Sequence, residues 1–370
     1  MDRTQAAQSM RVGIIGAGGI ARFHAEALKK LPGVTLVAVC DRDRNRAVAL
    51  QQAFGIAQVF DSVAAMSQDA ILDAVHVLVP PAAHAATIID ALERGWHVFA
   101  EKPFVTSVQD CRNIEAVAQR VGRSVGVNHN LTFLPAFLSM LADIRARRLG
   151  YIESVHACFN VPMPQLASGQ HGHWMFAQTG NIVLELGPHP LSTIVRLMGP
   201  VHAANTVVSG QRTLKHGSTF FDGWYSVLTC ERGIAQCSFS FGGGFADGWI
   251  YVVGQDASAM VDLVRNTYVL STKSRFVKPV EDFIDALQRS RSFFSDGFRN
   301  IVNFGAGVLG LSATNDVFSV GMRNSILAFY DAIGRGAEPP VGIVEATAVI
   351  QACETLIESV QLGETSRVRN

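Results

Sequence analysis

A chain of 370 residues is long for a single hydrophobic core, so two domains are expected. With 48% hydrophobic and 17% charged residues the composition is globular rather than disordered. Thirty-one basic residues balance thirty-one acidic ones, so the basic excess typical of a nucleic-acid binder is missing.

The N-terminus, Met1 to Met10, is polar and alanine-rich and lacks the apolar core of a signal peptide. No apolar run reaches the length of a membrane span. The most apolar segment, Ile301 to Ala313, holds three glycines and Asn303 and is expected to be buried. The chain therefore reads as soluble and cytoplasmic, without a nucleic-acid or membrane partner. Its six cysteines lie far apart with no CxxC pair, so neither disulfides nor a zinc site are expected.

The first element is an apolar strand, Arg11 to Ile15, running straight into Gly16-Ala17-Gly18-Gly19-Ile20-Ala21. A helical pattern follows to Lys30, stopped by Pro32-Gly33, and a second strand, Val34 to Cys40, ends in Asp41. This is a dinucleotide fingerprint in its required strand–turn–helix context, with alanine at the third glycine position. Gly16 allows the tight turn, and Gly18 lets backbone approach a pyrophosphate resting on the helix N-terminus. Asp41 stands where an acid accepts hydrogen bonds from ribose hydroxyls. It favours NAD over NADP, while Arg42 leaves NADP open because an arginine accepts a 2′-phosphate.

Alternation continues with a helix over Arg44 to Phe54, capped by Gly55, and strands at Gln58 to Phe60 and Ala74 to Val79. The turn Val79-Pro80-Pro81 leads to His84, which either caps the next helix or contacts the nicotinamide half of a cofactor. After Gly95 comes a strand that runs out into Glu101-Lys102-Pro103. Taken alone, this triplet is either a solvated charge pair or a crevice edge. At the carboxyl end of a parallel strand Lys102 faces the ligand, and Pro103 stiffens the turn. A helix over Ser107 to Val121 and a strand over Ser124 to Val127 complete a doubly wound parallel sheet.

Beyond Val127 the pattern changes. Asn128-His129-Asn130 leaves the last strand, and a helix runs from Pro135 to about Arg148. Extended segments then cover Ile152 to Val161, Ala204 to Ser209, Trp224 to Cys230, Ile234 to Phe241, Trp249 to Val253 and Ala259 to Leu263. Helices return at Val280 to Arg289, Ser319 to Arg335 and Ile343 to Val360. The expected division is a Rossmann domain over 1–128 and an α+β domain with a mainly antiparallel sheet over 129–370.

The second domain carries Glu185 and His189, four apart and therefore on one face of a helix, with Gly187 and Pro188 between them near its start. Their apolar surroundings suggest a buried acid–base pair, or else two metal ligands; no third ligand shares the segment, so no metal is assigned. His171 and His173 fall in a segment read as a loop, Pro162 to Met175. A second such loop spans Ser209 to Gly223, and the two are where specificity is expected.

These motifs resemble the glucose–fructose oxidoreductase/inositol dehydrogenase/MocA family from Met10 to about Glu364. The resemblance rests on the Gly16–Ala21 turn, Asp41, Pro80 with His84, Glu101-Lys102-Pro103, and Gly180, Glu185 and His189. It implies an open-faced sheet in the second domain and a homodimer or homotetramer formed through that face, for which the Phe239 to Phe245 run supplies apolar surface. It also implies hydride transfer between NAD(P) and a secondary alcohol or ketone of a sugar, cyclitol or polyol. His189 is then the base, Lys102 the ammonium on the reacting oxygen, and Glu185 an orienting group. Asn128 and His129 line the pocket, and Gly16, Gly18, Gly19, Ile20, Asp41, Arg42, Pro80, His84, Glu101 and Trp174 contact cofactor.

The chain departs from the family pattern at Glu185 (usually Asp), Ser192 (often a second acid), Met175 (often Arg) and the 128–130 stretch. Two alternatives use the same residues: transient oxidation that enables sugar elimination or hydrolysis, and a cofactor-binding regulator without catalysis.

Overall fold

The computed structural model describes residues 9–272, 276–309 and 316–360. Two compact units emerge. The first comprises the described residues up to His129 together with Met322–Thr347, and the second comprises Asn130–Gly321 with the described residues from Ala348 onward. A division at 128/129 does not include the return of Met322–Thr347 to the first unit.

The first unit alternates β1 (Met10–Ile15), α1 (Ala21–Lys29), β2 (Val34–Cys40), α2 (Arg44–Phe54), β3 (Gln58–Phe60), α3 (Val63–Asp69), β4 (Ala74–Val77), α4 (Pro81–Glu93), β5 (His97–Ala100), α5 (Val108–Val121) and β6 (Val125–Val127). Its strands pair in parallel in the order β3-β2-β1-β4-β5-β6. Local chemistry sets the boundaries. Ser62 and Ser107 cap α3 and α5 by accepting the Ala65 and Asp110 N–H groups, while Gly55 and Gly122 end α2 and α5 in the left-handed conformation. The direction of chain progression reverses between β1 and β4, which is where an α/β sheet opens its ligand crevice.

The second unit contains α6 (Pro135–Arg145), β7 (Ile152–Asn160), α7 (Pro164–Ser168), α8 (Asn181–Leu186), α9 (Pro188–Met198), β8 (Val201–Thr213), β9 (Thr219–Cys230), β10 (Gly233–Ser240), β11 (Asp247–Gly254), β12 (Ala257–Asp262), β13 (Thr267–Thr272) and α10 (Lys278–Val308). The sheet order is β13-β12-β11-β7-β10-β9-β8; only β7–β10 is parallel. Side chains alternate on β9 from Trp224 onward and along β10. Trp224, Leu228, Ala235 and Cys237 enter the core, whereas Tyr225, Val227 and Ile234 lie on an open face. Two further helices, α11 (Val317–Gly334) and α12 (Ile343–Glu358), follow. Ile326, Phe329 and Tyr330 of α11 join the first unit's core, where a Cβ on Gly126 would lie 2.5 Å from the Phe329 ring.

Five expectations are corrected. Phe239 and Phe241 are buried by strand alternation, so in the Phe239–Phe245 run only Phe245 is a large exposed apolar residue. Ser209–Gly223 is no loop, because β8 and β9 stay paired out to Thr213 and Thr219. The Pro162–Met175 segment is loop only in part: α7 and the start of a 3-10 turn, Trp174–Phe176, flank the loop that carries His171 and His173. β13 had no alternation strong enough to mark it, and α10 extends well past Arg289. Ile301, Val302, Phe304, Val308 and Leu309 are exposed rather than buried, because α10 turns a polar side toward β13; residues 310–313 lie outside the described residues.

Candidate active site

The turns after β1 and β4 meet at Gly16. Its φ is +100°, and a Cβ there would stand 2.6 Å from the Leu78 carbonyl oxygen, so only glycine fits. At Gly18 and Gly19, by contrast, a Cβ would meet no atom within 4 Å, and the space lies over the start of α1, where Ile20 is the N-cap residue. The Asp41 carboxylate closes the turn from β2: Oδ2 accepts the Ala17 N–H at 2.6 Å and Oδ1 the Asp43 N–H at 2.8 Å. Arg42 is exposed beside it.

Pro80 is the N-cap residue of α4, and no side chain caps that helix, so His84 is not a cap. Its buried ring instead bridges two turns, with one nitrogen 2.8 Å from the Val79 carbonyl oxygen and the other 3.0 Å from that of Phe104. Beyond β5 the ladder continues one step, as Glu101 N–H donates to Val77 O and Asn128 N–H to Ala100 O. Glu101 is thereby buried while Lys102 is half-buried, and the Lys102–Pro103 peptide is cis. His129 is buried, and its N–H donates to Val127 O.

Behind Lys102 runs a chain of polar groups that the sequence reading missed. Glu101 Oε1 accepts from His24 Nε2 at 2.8 Å and from Asn128 Nδ2 at 2.6 Å, and Oε2 accepts the Lys102 N–H. His24 Nδ1 lies 2.7 Å from His76 Nδ1, and His76 Nε2 lies 3.0 Å from the Tyr330 hydroxyl. Burial alone would raise the Glu101 carboxyl. The His24 bond and charge, the Asn128 bond and the nearby Lys102 ammonium outweigh it and hold the group at about 2. Burial, with His24 alongside, keeps His76 well below its ordinary value and therefore neutral.

An ionised Glu101 only accepts, so His24 Nε2 carries a proton. The rest of the chain then has two complete polarities. Either Tyr330 donates toward His76 and His76 toward a neutral His24, or a charged His24 reverses both bonds. The one legible signal was His76, a polar residue inside the buried strand Ala74–Val77; Tyr330 lies 254 positions from it.

In the second unit α8 and α9 meet at Gly187, whose helical φ and ψ of −57° and −37° carry the backbone into Pro188 at the first position of α9. Glu185 and His189 are half-buried rather than fully enclosed. Glu185 Oε2 accepts the Trp174 indole N–H at 2.8 Å, and Asn181 Nδ2 holds the Trp174 carbonyl at 2.9 Å. The His189 ring packs on Phe159 with centroids 5.6 Å apart, and Ser192 Oγ donates to His189 O. His173 accepts the Met175 N–H, which fixes the turn bearing Trp174. Among the described residues, no cluster of three or more His, Cys, Asp or Glu could hold a metal, and no helix is long and apolar enough to cross a membrane.

The first unit fits a dinucleotide. Open space lies over Gly18 and Gly19, and the buried Asn128 Oδ1 accepts no hydrogen bond from a described residue at the end of β6. Residues 10–129 match the model of an oxidoreductase family with an NAD-binding Rossmann fold. The chain is 26% identical over 227 residues to D-apiose dehydrogenase of Paraburkholderia graminis, covering 60% of each protein. It is 33% identical over 157 residues to inositol 2-dehydrogenase of Acidothermus cellulolyticus, covering 42% of this chain and 46% of that one. These matches thus span less than two thirds of the relatives' own lengths. An oxidoreductase from Agrobacterium radiobacter, solved with NAD+, L-tartaric acid and magnesium, shares the fold at a TM-score of 0.75 and 16% identity over 96% of this chain and 97% of that one. Residues 10–129, which carry the glycine turn, Asp41 and Lys102, are thus the part of the chain similar to the oxidoreductase family with an NAD-binding Rossmann fold.

Proposed function

We propose that the protein is an NAD(P)-dependent dehydrogenase that interconverts a secondary alcohol and a ketone on a sugar, cyclitol or related polyol. The observation that carries this reading is Lys102, set at the end of β5 in the sheet that bears the dinucleotide turn and backed by the buried Glu101 carboxylate. Bound nicotinamide supplies the hydride acceptor for the substrate carbon. Gly16, Gly18, Gly19 and Ile20 take the pyrophosphate, Asp41 the ribose hydroxyls with Arg42 beside them, and Pro80, His84, Glu101, Asn128 and Trp174 the remaining cofactor contacts.

His189 takes the hydroxyl proton while Lys102 hydrogen-bonds the same oxygen and offsets its developing charge. Glu185 and His129 orient the substrate. The two acidic-to-neutral and basic-to-neutral departures near the site, Ser192 and Met175, tune the choice of polyol. Sugar and cyclitol dehydrogenases among the relatives support this substrate class. The enzyme works in the cytoplasm as a homodimer or homotetramer.

The test is turnover of a polyol and sugar panel with NAD+, followed by NADH absorbance. Lys102→Ala and His189→Ala should each lower kcat at least a hundredfold. Unchanged turnover in either variant would remove that residue's role, and product formation without NADH accumulation would overturn net oxidation.

A further inference from the structure

The hairpin of β8 and β9 ends on the segment that carries Trp174. β10 pairs with β9 only as far as Gly223, so the end of the hairpin runs on without it, paired through Thr213 and Thr219. From Ser209 to Thr213 every residue of β8 is exposed. The chain then turns tightly: Leu214 N–H donates to Ser218 O and Gly217 N–H to Leu214 O, with Gly217 at a φ of +91°. After five exposed residues the tip nevertheless buries Leu214, which is only 5% exposed.

The tip is seated on the chain that follows Trp174. His216 Nε2 and Ser218 Oγ each lie 2.9 Å from the Phe176 carbonyl oxygen and 2.8 Å from each other. A carbonyl only accepts, and one hydroxyl proton cannot serve both the carbonyl and the ring nitrogen. All three contacts are hydrogen bonds only if His216 Nε2 carries a proton, so Phe176 O receives two donors. Next to this triangle Thr179 Oγ1 donates to Thr219 O at 2.9 Å. The His171 ring packs on the same place, its centroid 5.4 Å from that of Phe176 and 6.4 Å from that of His216.

Phe176 and Thr179 lie on the short link between Trp174 and α8, the helix that bears Glu185. The bond from the Trp174 indole to Glu185 Oε2 closes that link into a loop. With Phe176 and Thr179 pinned from outside and the Trp174 carbonyl held by Asn181, the indole meets Glu185 in one geometry. Support of this kind fixes a binding group without touching the ligand.

We propose that His216 and Ser218 are positioning residues for the substrate site: through Phe176 they set the Trp174 indole against Glu185, and so set which polyol the site accepts. The proposal rests on the assignment of Glu185 to substrate in the functional reading.

The full chain labelled with 5-fluorotryptophan gives one fluorine resonance for each of its four tryptophans, and the Trp174 line is the one that Trp174→Phe removes. The double variant His216→Ala/Ser218→Ala, which lacks both donors to Phe176 O, should shift that line and leave the other three in place. It should raise the polyol KM about tenfold while kcat and the KM for NAD+ stay within about twofold of wild type. His216→Gln keeps an amide donor and should hold the polyol KM within about twofold. If the double variant fails to fold, Ser218→Ala takes its place, with an expected rise of about threefold.

A Trp174 line and a polyol KM that both match wild type would overturn the proposal. So would a lower melting temperature accompanied by equal losses with polyol and NAD+, the mark of a merely structural clamp. A shifted Trp174 line with an unchanged polyol KM would remove Glu185 from substrate binding while the clamp on Trp174 stands.

Discussion

His24 Nε2 stands 2.8 Å from Glu101 Oε1, joining the middle of helix α1 to the residue immediately before Lys102. Both groups are buried, so the bond is charge-assisted in a dry environment and its loss leaves the carboxylate held only by Asn128 Nδ2 and the Lys102 N–H. His24→Ala should therefore cost about 3 kcal/mol of folding stability, read by urea titration. Tyr330→Phe removes only the far hydroxyl and should cost about 1 kcal/mol. It should also move the pH profile of kcat, because His76 Nε2 loses its partner in both polarities of the chain. A profile identical to wild type would limit Tyr330 to packing.

The same network sets an acid limb. In the folded protein Glu101 sits near 2 against 4.5 for the ordinary group, so its stabilisation is present above 4.5 and is lost as pH falls from there toward 2. His76 acts earlier and with the same sign. Below 6.5 the unfolded chain binds a proton that native His76 refuses, so stability declines from that point downward. Thermal melts from pH 8 to 4 should show a falling Tm that begins near 6.5. His76→Gln should remove the first part of that decline.

Gly16 and Gly18 should separate cleanly on substitution. Gly16→Ala forces a methyl into the Leu78 carbonyl at a positive φ and should destabilise the fold by more than about 2 kcal/mol. Gly18→Ala meets no protein atom and should leave Tm unchanged while weakening NAD+ at least tenfold in a fluorescence titration.

Trp174→Phe keeps a ring but removes the donor to Glu185 Oε2. Glu185 Oε2 then loses its indole donor in a half-buried site. The expected result is a roughly tenfold rise in polyol KM with a stability loss of about 1.5 kcal/mol, since a donor to a charged group is lost. Steady-state kinetics with a denaturation curve checks both halves.

Much of the first unit was legible because its signals are local. Gly55, Ser62 and Ser107 each act through near neighbours in the chain, and β2, α2 and β3 fall on their expected limits. Pairing across long separations was not. His24, His76 and Tyr330 look like ordinary core residues until three elements converge, and nothing in the sequence marks Glu185 as the acceptor of Trp174. α10 misled for a physical reason: an apolar segment is read as buried, yet Ile301, Phe304 and Val308 lie on the side of the helix turned away from β13.

Phe329 over Gly126 has a consequence for biosynthesis. Strand β6 leaves the ribosome early, yet the side chain that fills the space above its glycine follows some 200 residues later. At 5–20 residues per second, the nucleotide-binding half waits roughly 10–40 s with an open hydrophobic slot. A ribosome stalled before Met322 should therefore hold a nascent first unit that is prone to capture by chaperones and does not retain NAD, even though every residue of its glycine turn is already present.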